Sequence, residues 1–211
     1  MPHDTWWNLP ETKRGAITRA AMAEFGARGF SAGSLNVIAR EAAIAKGSLF
    51  QYFEDKLDFF ATVAEAVAST VEEAVLDGVD VESGTYFDNL RVLVANWLRY
   101  FRAHPLERSM AHAAASEIDV EARAAVRGVP NQHYVGLLVP MARRARARGE
   151  LREDTDVDQL VAMTVLLLRH LDSAPFQPHL DPVLDLYKKS AKQVDRIASQ
   201  LVGALERGFA A

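Results

Sequence analysis

The sequence predicts an all-α protein with about nine helices, and three observations support this fold class. Alanine, leucine, valine and arginine are abundant and runs of β-branched residues are few, a composition that favours helices. Apolar residues recur three and four positions apart in one long segment after another. Glycine, proline or aspartate separates these segments, as expected of helix ends. The 211 residues are enough for one or two domains with their own cores.

Residues 34–56, SLNVIAREAAIAKGSLFQYFEDK, predict two short helices around a tight corner, followed by the start of a longer helix. Ser34 is a good N-cap, because its side-chain oxygen can accept a hydrogen bond from a free backbone N–H of the first turn. The apolar stripe of the first short helix consists of Leu35, Ile38, Ala39 and Ala42. Ile44 follows in the corner, where an apolar side chain can fill the angle between the helices.

The second short helix starts at Lys46, and its outer surface is suited to DNA. Leu49 and Phe53 are four residues apart and form the inner face. At about 100° per residue, this orientation leaves a set of small, polar or flanking residues outside: Gly47, Ser48, Phe50 and Gln51. No acidic residue occurs between Glu41 and Glu54. A short helix with such a face fits the major groove, so the segment is interpreted as a helix-turn-helix.

The same residues, together with the helix before them, resemble the N-terminal domain of TetR/AcrR-type transcriptional regulators. The preceding helix contributes Ile17, Ala20, Ala21, Phe25, Gly29 and Phe30 to the pattern. The helix-turn-helix contributes Ser34, Ile38, Ala39, Ala42, Ile44, Gly47, Phe53 and Lys56. This resemblance covers residues 11–60, under a third of the chain, and as a combined pattern it is highly specific.

Three residues depart from the family pattern. Ala43 replaces the corner glycine, so we expect the turn to avoid a positive φ angle, which alanine tolerates poorly. Ala45 replaces the serine that caps the recognition helix, so one N-terminal N–H needs another partner or water. Phe50 replaces a tyrosine whose hydroxyl typically touches DNA in the family.

The resemblance implies a DNA-binding domain in residues 1–56 and a ligand-binding and dimerisation domain, an antiparallel helical bundle, in residues 57–211. It implies a regulator, most often a repressor, that binds a pseudo-palindromic double-stranded DNA operator as a homodimer and responds to a small-molecule effector. No catalytic residue, metal site or cofactor is expected, because no nucleophile elbow, phosphate loop or metal-ligand spacing occurs. The alternative is a helical small-molecule-binding protein or enzyme with a vestigial helix-turn-helix.

The predicted DNA contacts form two groups. Gln51 can bond adenine edges and Phe50 can contact a thymine methyl, and with Ser48 they are the candidate base contacts. The candidate phosphate contacts are Ser34, Lys46, Gly47, Tyr52 and Lys56. The chain has a net charge of −4, and acidic and basic residues balance in residues 1–60. We therefore expect modest non-specific DNA affinity with a moderate dependence on salt.

The rest of the chain predicts a succession of helices. The helix from Lys56 should end near Leu76, and the polar segment 77–85 is the expected linker between domains. Further helices are expected over 86–103, 106–117, 132–148, 156–171 and 182–208, with a break at 128–131. Trp6 and Trp7 are expected to dock the N-terminal arm onto the first long helix.

The helix over residues 156–171 is unusually apolar, with four consecutive apolar residues that cover all of its sides. Two interpretations stay open. The helix either lies in the centre of the bundle, or it packs with the last helix of each subunit into a four-helix contact across a two-fold axis.

An effector pocket is predicted from aromatic, methionine and histidine residues of the bundle. They are Trp97, Phe101, Met110, His112, His133, Tyr134, Met141 and Met163. The simpler interpretation is ordinary core packing, with the histidines hydrogen-bonded locally.

No segment is expected to cross a membrane. The longest apolar stretch, residues 160–168, is far shorter than the roughly 20 residues that span a bilayer. The N-terminus lacks the basic start and apolar core of a signal peptide. We therefore expect a soluble, cytoplasmic protein.

Overall fold

The computed structural model describes residues 2–211, except for the side chains of residues 127–134. Its helices are α1 (Asp4–Trp7), α2 (Glu11–Ala32), α3 (Leu35–Glu41), α4 (Lys46–Tyr52), α5 (Lys56–Val75), α6 (Tyr86–Ala103), α7 (Pro105–Ala115), α8 (Val120–Ala147), α9 (Val157–Ser173) and α10 (Ala191–Phe209). A 3₁₀ turn, Leu186–Lys188, precedes α10. The described residues form no strand, although an isolated bridge pairs Leu151 with Ala210. The predicted all-α fold class is confirmed.

The chain forms two compact units. The first unit comprises Met1–Thr70 and His104–Pro130, and the second comprises Val71–Ala103 and Asn131–Ala211. Helices α5 and α8 each contribute residues to both units. In the part of the chain that the structure describes, no helix has the length and apolar character needed to cross a membrane.

Helices α2 and α7 pack along each other in the first unit. Gly26 permits their close approach: a Cβ atom at this position would lie 2.9 Å from Cβ of Ser109 and 3.1 Å from the backbone nitrogen of Met110. Any larger residue at this position would push the two helices apart. The first unit therefore includes a helix that lies far along the chain from the helix-turn-helix.

Four buried phenylalanines form the centre of the first unit: Phe25, Phe53, Phe59 and Phe60. The rings of Phe25 and Phe60 meet edge to face with their centroids 5.1 Å apart, and Phe53 stacks on Phe59 at 4.3 Å. Burial of each such side chain contributes about 1.5–3 kcal/mol. This cluster holds α5 against α2 and against the end of α4.

Helix α6 packs on α9 and α10 in the second unit. Its apolar face is buried and consists of Leu90, Leu93, Val94, Trp97 and Phe101. Arg91 pairs with Glu206, and Arg102 pairs with Asp195, so two ion pairs join α6 to α10. Because both pairs are partly exposed, each adds little stability beyond the apolar contact.

The segment 77–85, which the composition favours as a linker between domains, lies within the second unit. The amide of Asn89 donates to the carbonyl of Asp80 at 2.7 Å and accepts the N–H of Asp80 at 2.8 Å. Arg148 donates to the carbonyl of Gly84 at 3.1 Å. These hydrogen bonds give a polar, glycine-containing segment a defined position, because they satisfy its backbone groups.

Helix α8 is one continuous helix, so the break predicted at 128–131 is wrong. The same helix includes the residues that were expected to begin a separate helix at position 132. A proline inside a helix removes one backbone hydrogen bond, but its φ angle is compatible with helical geometry. The remaining backbone hydrogen bonds of a 28-residue helix can therefore keep it continuous across a proline.

The final helix begins at Ala191, so its predicted start at position 182 is wrong. Upstream, the carboxylate of Asp181 accepts the N–H groups of Val183 and Leu184 at 3.1 and 2.9 Å. Such a side-chain turn competes with helix formation. The helix starts only after Ser190, whose capping box with Gln193 satisfies its first N–H groups.

Candidate nucleic-acid interface

Hydrogen bonds at the start of α3 fix the first helix of the helix-turn-helix. Ser34 is the N-cap, as predicted, and its Oγ accepts the N–H of Val37 at 3.5 Å. The N–H of Ser34 donates to Oε1 of Glu24 on α2 at 2.9 Å. Glu24 is buried, and its carboxylate also lies 3.5 Å from the guanidinium of Arg28. The sequence did not indicate this role for Glu24.

The corner between α3 and α4 differs from the expectation. Ala43 has a φ angle of 53°, in the left-handed region that alanine disfavours, so the prediction that the turn avoids positive φ is wrong. The N–H of Ala43 donates to the carbonyl of Arg40 at 3.1 Å, and the N–H of Ile44 donates to that of Ala39 at 2.9 Å. These two bonds end α3 in the same way as the bonds around a glycine in the left-handed conformation at a helix C-terminus. They hold Ala43 in its strained conformation.

Replacing Ala43 with glycine is expected to raise the free energy of unfolding by about 1 kcal/mol, because glycine adopts positive φ without a Cβ clash. Urea denaturation followed by circular dichroism measures this change. Ala23 is an exposed alanine inside α2, so Ala23→Gly should lower the free energy of unfolding. A stability gain in both variants, or in neither, would contradict the assignment of strain to Ala43.

Helix α4 exposes the face that the sequence predicted. Lys46, Gly47, Phe50 and Gln51 are exposed and Ser48 is half-buried, whereas Leu49 is buried. Phe50 keeps 48% of its surface accessible, so its ring is available for a contact with a partner. No side chain caps the start of α4, as Ala45 led us to expect.

Tyr52 is placed differently from the other predicted DNA contacts. It is only 6% exposed, and its ring centroid lies 6.1 Å from that of Trp6 and 6.4 Å from that of Phe53. This burial argues against the predicted phosphate contact, because a phosphate needs an accessible donor. We therefore assign Tyr52 to the packing of α4 and not to a phosphate contact.

Lys56 is half-buried at the start of α5. Its Nζ donates to the carbonyl of Ser31 at 3.2 Å and lies 4.7 Å from the ring centroid of Phe30. Desolvation lowers the pKa of Lys56, while the carboxylates of Glu117 and Glu24 act in the opposite direction. Lys56 therefore ties α5 to the end of α2, and its predicted phosphate contact would use the remaining N–H groups.

Glu117 is a buried carboxylate at the turn between α7 and α8, with only 6% of its surface exposed. Its Oε2 accepts the N–H of Phe30 at 2.8 Å, directly after Gly29, whose φ of 68° interrupts the helical geometry of α2. Its Oε1 accepts the N–H groups of Ile118 and Asp119, both at 3.0 Å. The sequence offered no signal for this contact, because Phe30 and Glu117 are 87 residues apart.

The N-terminal arm packs against the recognition helix α4. Trp6 is buried, and its ring centroid lies 4.8 Å from that of Phe53. The N–H of His3 donates to the carbonyl of Tyr52 at 2.8 Å. The expectation was that Trp6 docks the arm onto the first long helix, and the sequence did not indicate this contact with α4.

The predicted effector residues lie in different environments. Trp97, Phe101, Met110 and Met141 are buried, His112 is half-buried and Met163 is exposed, while the side chains of His133 and Tyr134 lie outside the described residues. Met110 and His112 belong to the first unit and the others to the second. Within the second unit, the rings of Trp97 and Phe101 meet edge to face at 5.0 Å.

The second unit has a small cleft with room for about one water molecule. Its lining includes Tyr86, Asn89, Met141, Arg144, Arg148 and Glu150. Met141 is the predicted effector residue in this lining. Arg144 donates to the carbonyl of Val81 at 3.2 Å, so the arginines of the cleft also hold the neighbouring loop.

Residues 17–63 match the family model described as bacterial regulatory proteins, tetR family. The N-terminal domain belongs to the TetR family. The matched region of this TetR-family domain includes α3, the corner, α4 and every residue predicted to contact DNA. The resemblance inferred from the sequence is confirmed.

Solved structures of transcriptional regulators, TetR-family members among them, share the fold over most of the chain. One from Chloroflexus aurantiacus J-10-FL is 24% identical with a TM-score of 0.71, and the match covers 100% of this chain and 99% of that one. FadR from Bacillus subtilis, solved in complex with stearoyl-CoA, is 16% identical with a TM-score of 0.74, covering 89% and 96%. One from Marinobacter aquaeolei VT8 is 19% identical with a TM-score of 0.68, covering 95% and 96%. The chain therefore has the fold of a TetR-family DNA-binding transcription regulator.

Proposed function

We propose that this protein is a ligand-responsive repressor that binds a pseudo-palindromic operator as a homodimer. The observation that carries the proposal is the exposed, acid-free face of α4 within a TetR-family domain. Two such helices, roughly one helical turn of DNA apart, would enter successive major grooves.

The proposed contacts follow from what α4 and its flanks expose. Gln51 and Phe50 contact base edges, and Ser48 supports them from a half-buried position. Four residues contact phosphates and set the register of the protein on DNA: Ser34, Lys46, Gly47 and Lys56. A Cβ atom at Gly47 would meet no atom of the protein within 4 Å, so this position faces open space. Since glycine has no Cβ, a DNA phosphate can approach the backbone closely here.

Gln51→Ala is expected to relax discrimination at one base pair by about 1–3 kcal/mol and to leave the other positions unchanged. Lys46→Ala, at an exposed residue of the same helix, should weaken binding to all sequences and reduce the salt slope by about one. Fluorescence anisotropy against single-base operator variants measures both effects. The assignment of roles is wrong if both variants lose affinity for all sequences alike.

The surface of α9 and α10 supports a homodimer. One side of α9 is buried in the single chain, while Leu166 on the other side is 67% exposed. An apolar face with at least partial exposure runs over both helices: Ala162, Met163, Leu166, Ile197, Leu201 and Ala204. A second copy that covers this face through a two-fold axis would form a four-helix contact. The exposure of Leu166 therefore favours the interpretation of α9 as a helix of the subunit interface over that of a central helix of the bundle.

We place the effector in the second unit, beside the buried rings of Trp97 and Phe101. The cleft in this unit, which has room for about one water molecule, is too small for an effector as it stands. Because the rings of Trp97 and Phe101 are buried, an effector that contacts them must displace the side chains that pack on them. The complex of FadR with stearoyl-CoA supports an effector with an apolar acyl chain, since the two proteins share a fold.

Helices α5 and α8 are the proposed route from the effector to the DNA-binding domain. Each is continuous and has residues in both compact units, so a movement at one end is transmitted to the other. A coupling free energy of about 1–3 kcal/mol is typical of such regulation. A small displacement of these helices would change the spacing of the recognition helices in the dimer.

Selection from a library of random DNA duplexes tests the proposal with the full-length protein. The expected result is an inverted repeat whose affinity falls as salt rises. A library that shows no enrichment would overturn the proposal and favour a small-molecule-binding helical protein with a vestigial helix-turn-helix.

A further inference from the structure

We propose that residues 3–6, named here the N-terminal brace, hold the orientation of the recognition helix and thereby contribute to operator selectivity. This inference rests on the proposed DNA-binding function. The brace acts as a positioning element, because it contacts the backbone and the inner face of α4 and leaves the DNA-facing side chains free.

The brace satisfies the last carbonyl groups of α4. The hydroxyl of Thr5 donates to the carbonyl of Gln51, and Nδ1 of His3 lies 3.2 Å from the same oxygen. The N–H of His3 donates to the carbonyl of Tyr52 at 2.8 Å. The last turn of a helix leaves its carbonyls without partners, and a seven-residue helix makes few hydrogen bonds of its own. Bonds from another segment therefore add to the few that α4 makes itself.

Trp6 adds an apolar contact to these hydrogen bonds. It is 3% exposed, and its ring lies 4.8 Å from that of Phe53, the residue at which α4 ends. Phe53 in turn stacks on Phe59 of α5. The brace therefore connects the end of the recognition helix to the aromatic centre of the first unit.

The charge of the arm argues against direct DNA binding. Residues 1–12 contain Asp4 and Glu11 but no lysine or arginine. An acidic segment gains nothing from the phosphate backbone. The connection to DNA passes through Gln51, whose carbonyl the brace holds and whose side chain is exposed on α4.

Three variants of the full-length chain separate positioning from general stability. Thr5→Val removes the hydroxyl donor while keeping the shape of the side chain, and Trp6→Phe reduces the apolar contact without emptying the site. Trp7→Ala is the matched control, because Trp7 is an exposed tryptophan of the same arm. Hydrogen exchange of the amides of residues 49–53 is measured in the free protein, and the affinity ratio between selected and scrambled duplexes is measured by anisotropy.

We expect Thr5→Val and Trp6→Phe to speed the exchange of these amides by about 3- to 10-fold and to lower the affinity ratio by a similar factor. Binding to scrambled DNA and the behaviour of Trp7→Ala should not change. Unchanged exchange, or faster exchange with an unchanged affinity ratio, would overturn the proposal. If the wild-type chain selects no duplex, the proposed function fails and the selectivity role fails with it, whereas exchange still decides whether the brace holds α4.

Discussion

Replacing Leu166 with glutamate is expected to convert the protein to a monomer and to lower operator affinity by at least about 100-fold. Leu166 is 67% exposed in the single chain, so a charge at this position is hydrated and leaves the subunit folded. In the proposed dimer the same residue is covered by the second subunit. The two-fold axis then places two glutamates in the interface, and neither has a positively charged partner. A monomer then binds only one half-site, so the affinity that comes from linking two recognition helices is lost. Light scattering after gel filtration gives the oligomeric state, and anisotropy gives the affinity.

Ile118→Glu provides the control for the oligomeric state. Ile118 is 81% exposed and belongs to the first unit, so the same chemical change is made outside the proposed interface. This variant should remain a dimer. If Leu166→Glu also remains a dimer that binds the operator, α9 does not form the subunit contact.

Glu117→Ala is expected to lower the free energy of unfolding by about 2–3 kcal/mol. The carboxylate is buried and accepts three backbone N–H groups, and the variant leaves these donors without the acceptor. Glu117→Gln keeps one acceptor oxygen and should lose about half as much. Urea denaturation measures both losses, and the exchange rate of the Phe30 amide reports on the contact itself.

Glu121→Ala is the control for this prediction, since Glu121 is an exposed glutamate four residues along the chain. It should cost little, because an exposed carboxylate leaves no buried donor behind. Equal losses in Glu117→Ala and Glu121→Ala would contradict the assigned role of Glu117. Because the proposed effector signal passes through α8, Glu117→Ala should also weaken the response of DNA binding to effector.

The helix-turn-helix was predictable because its signals are local. The N-cap at Ser34, the buried Leu49 of α4 and the buried Phe53 directly after α4 follow from side chains a few residues apart. The bounds of α6 were predictable for the same reason. Helical spacing determines which side of a segment is apolar, and the structure buries that side.

Local spacing could not predict the conformation of Ala43. Its positive φ angle results from the hydrogen bonds that close α3, and these bonds outweigh the backbone preference of alanine. The family pattern has glycine at this position, and the change to alanine was interpreted as a change of turn. In the structure, Ala43 has the positive φ angle that a glycine would adopt, and its backbone is strained as a result.

The sequence by itself determined the all-α class, the recognition helix and the face that α4 exposes. The tertiary structure decided which segments those helices meet: α7 packs on α2, Glu117 binds the N–H of Phe30, and Trp6 packs on Phe53. Periodicity records that a face is apolar but not which partner covers it. Contacts between residues 47 or 87 positions apart depend on the packing of the whole unit, so they became visible only in the folded chain.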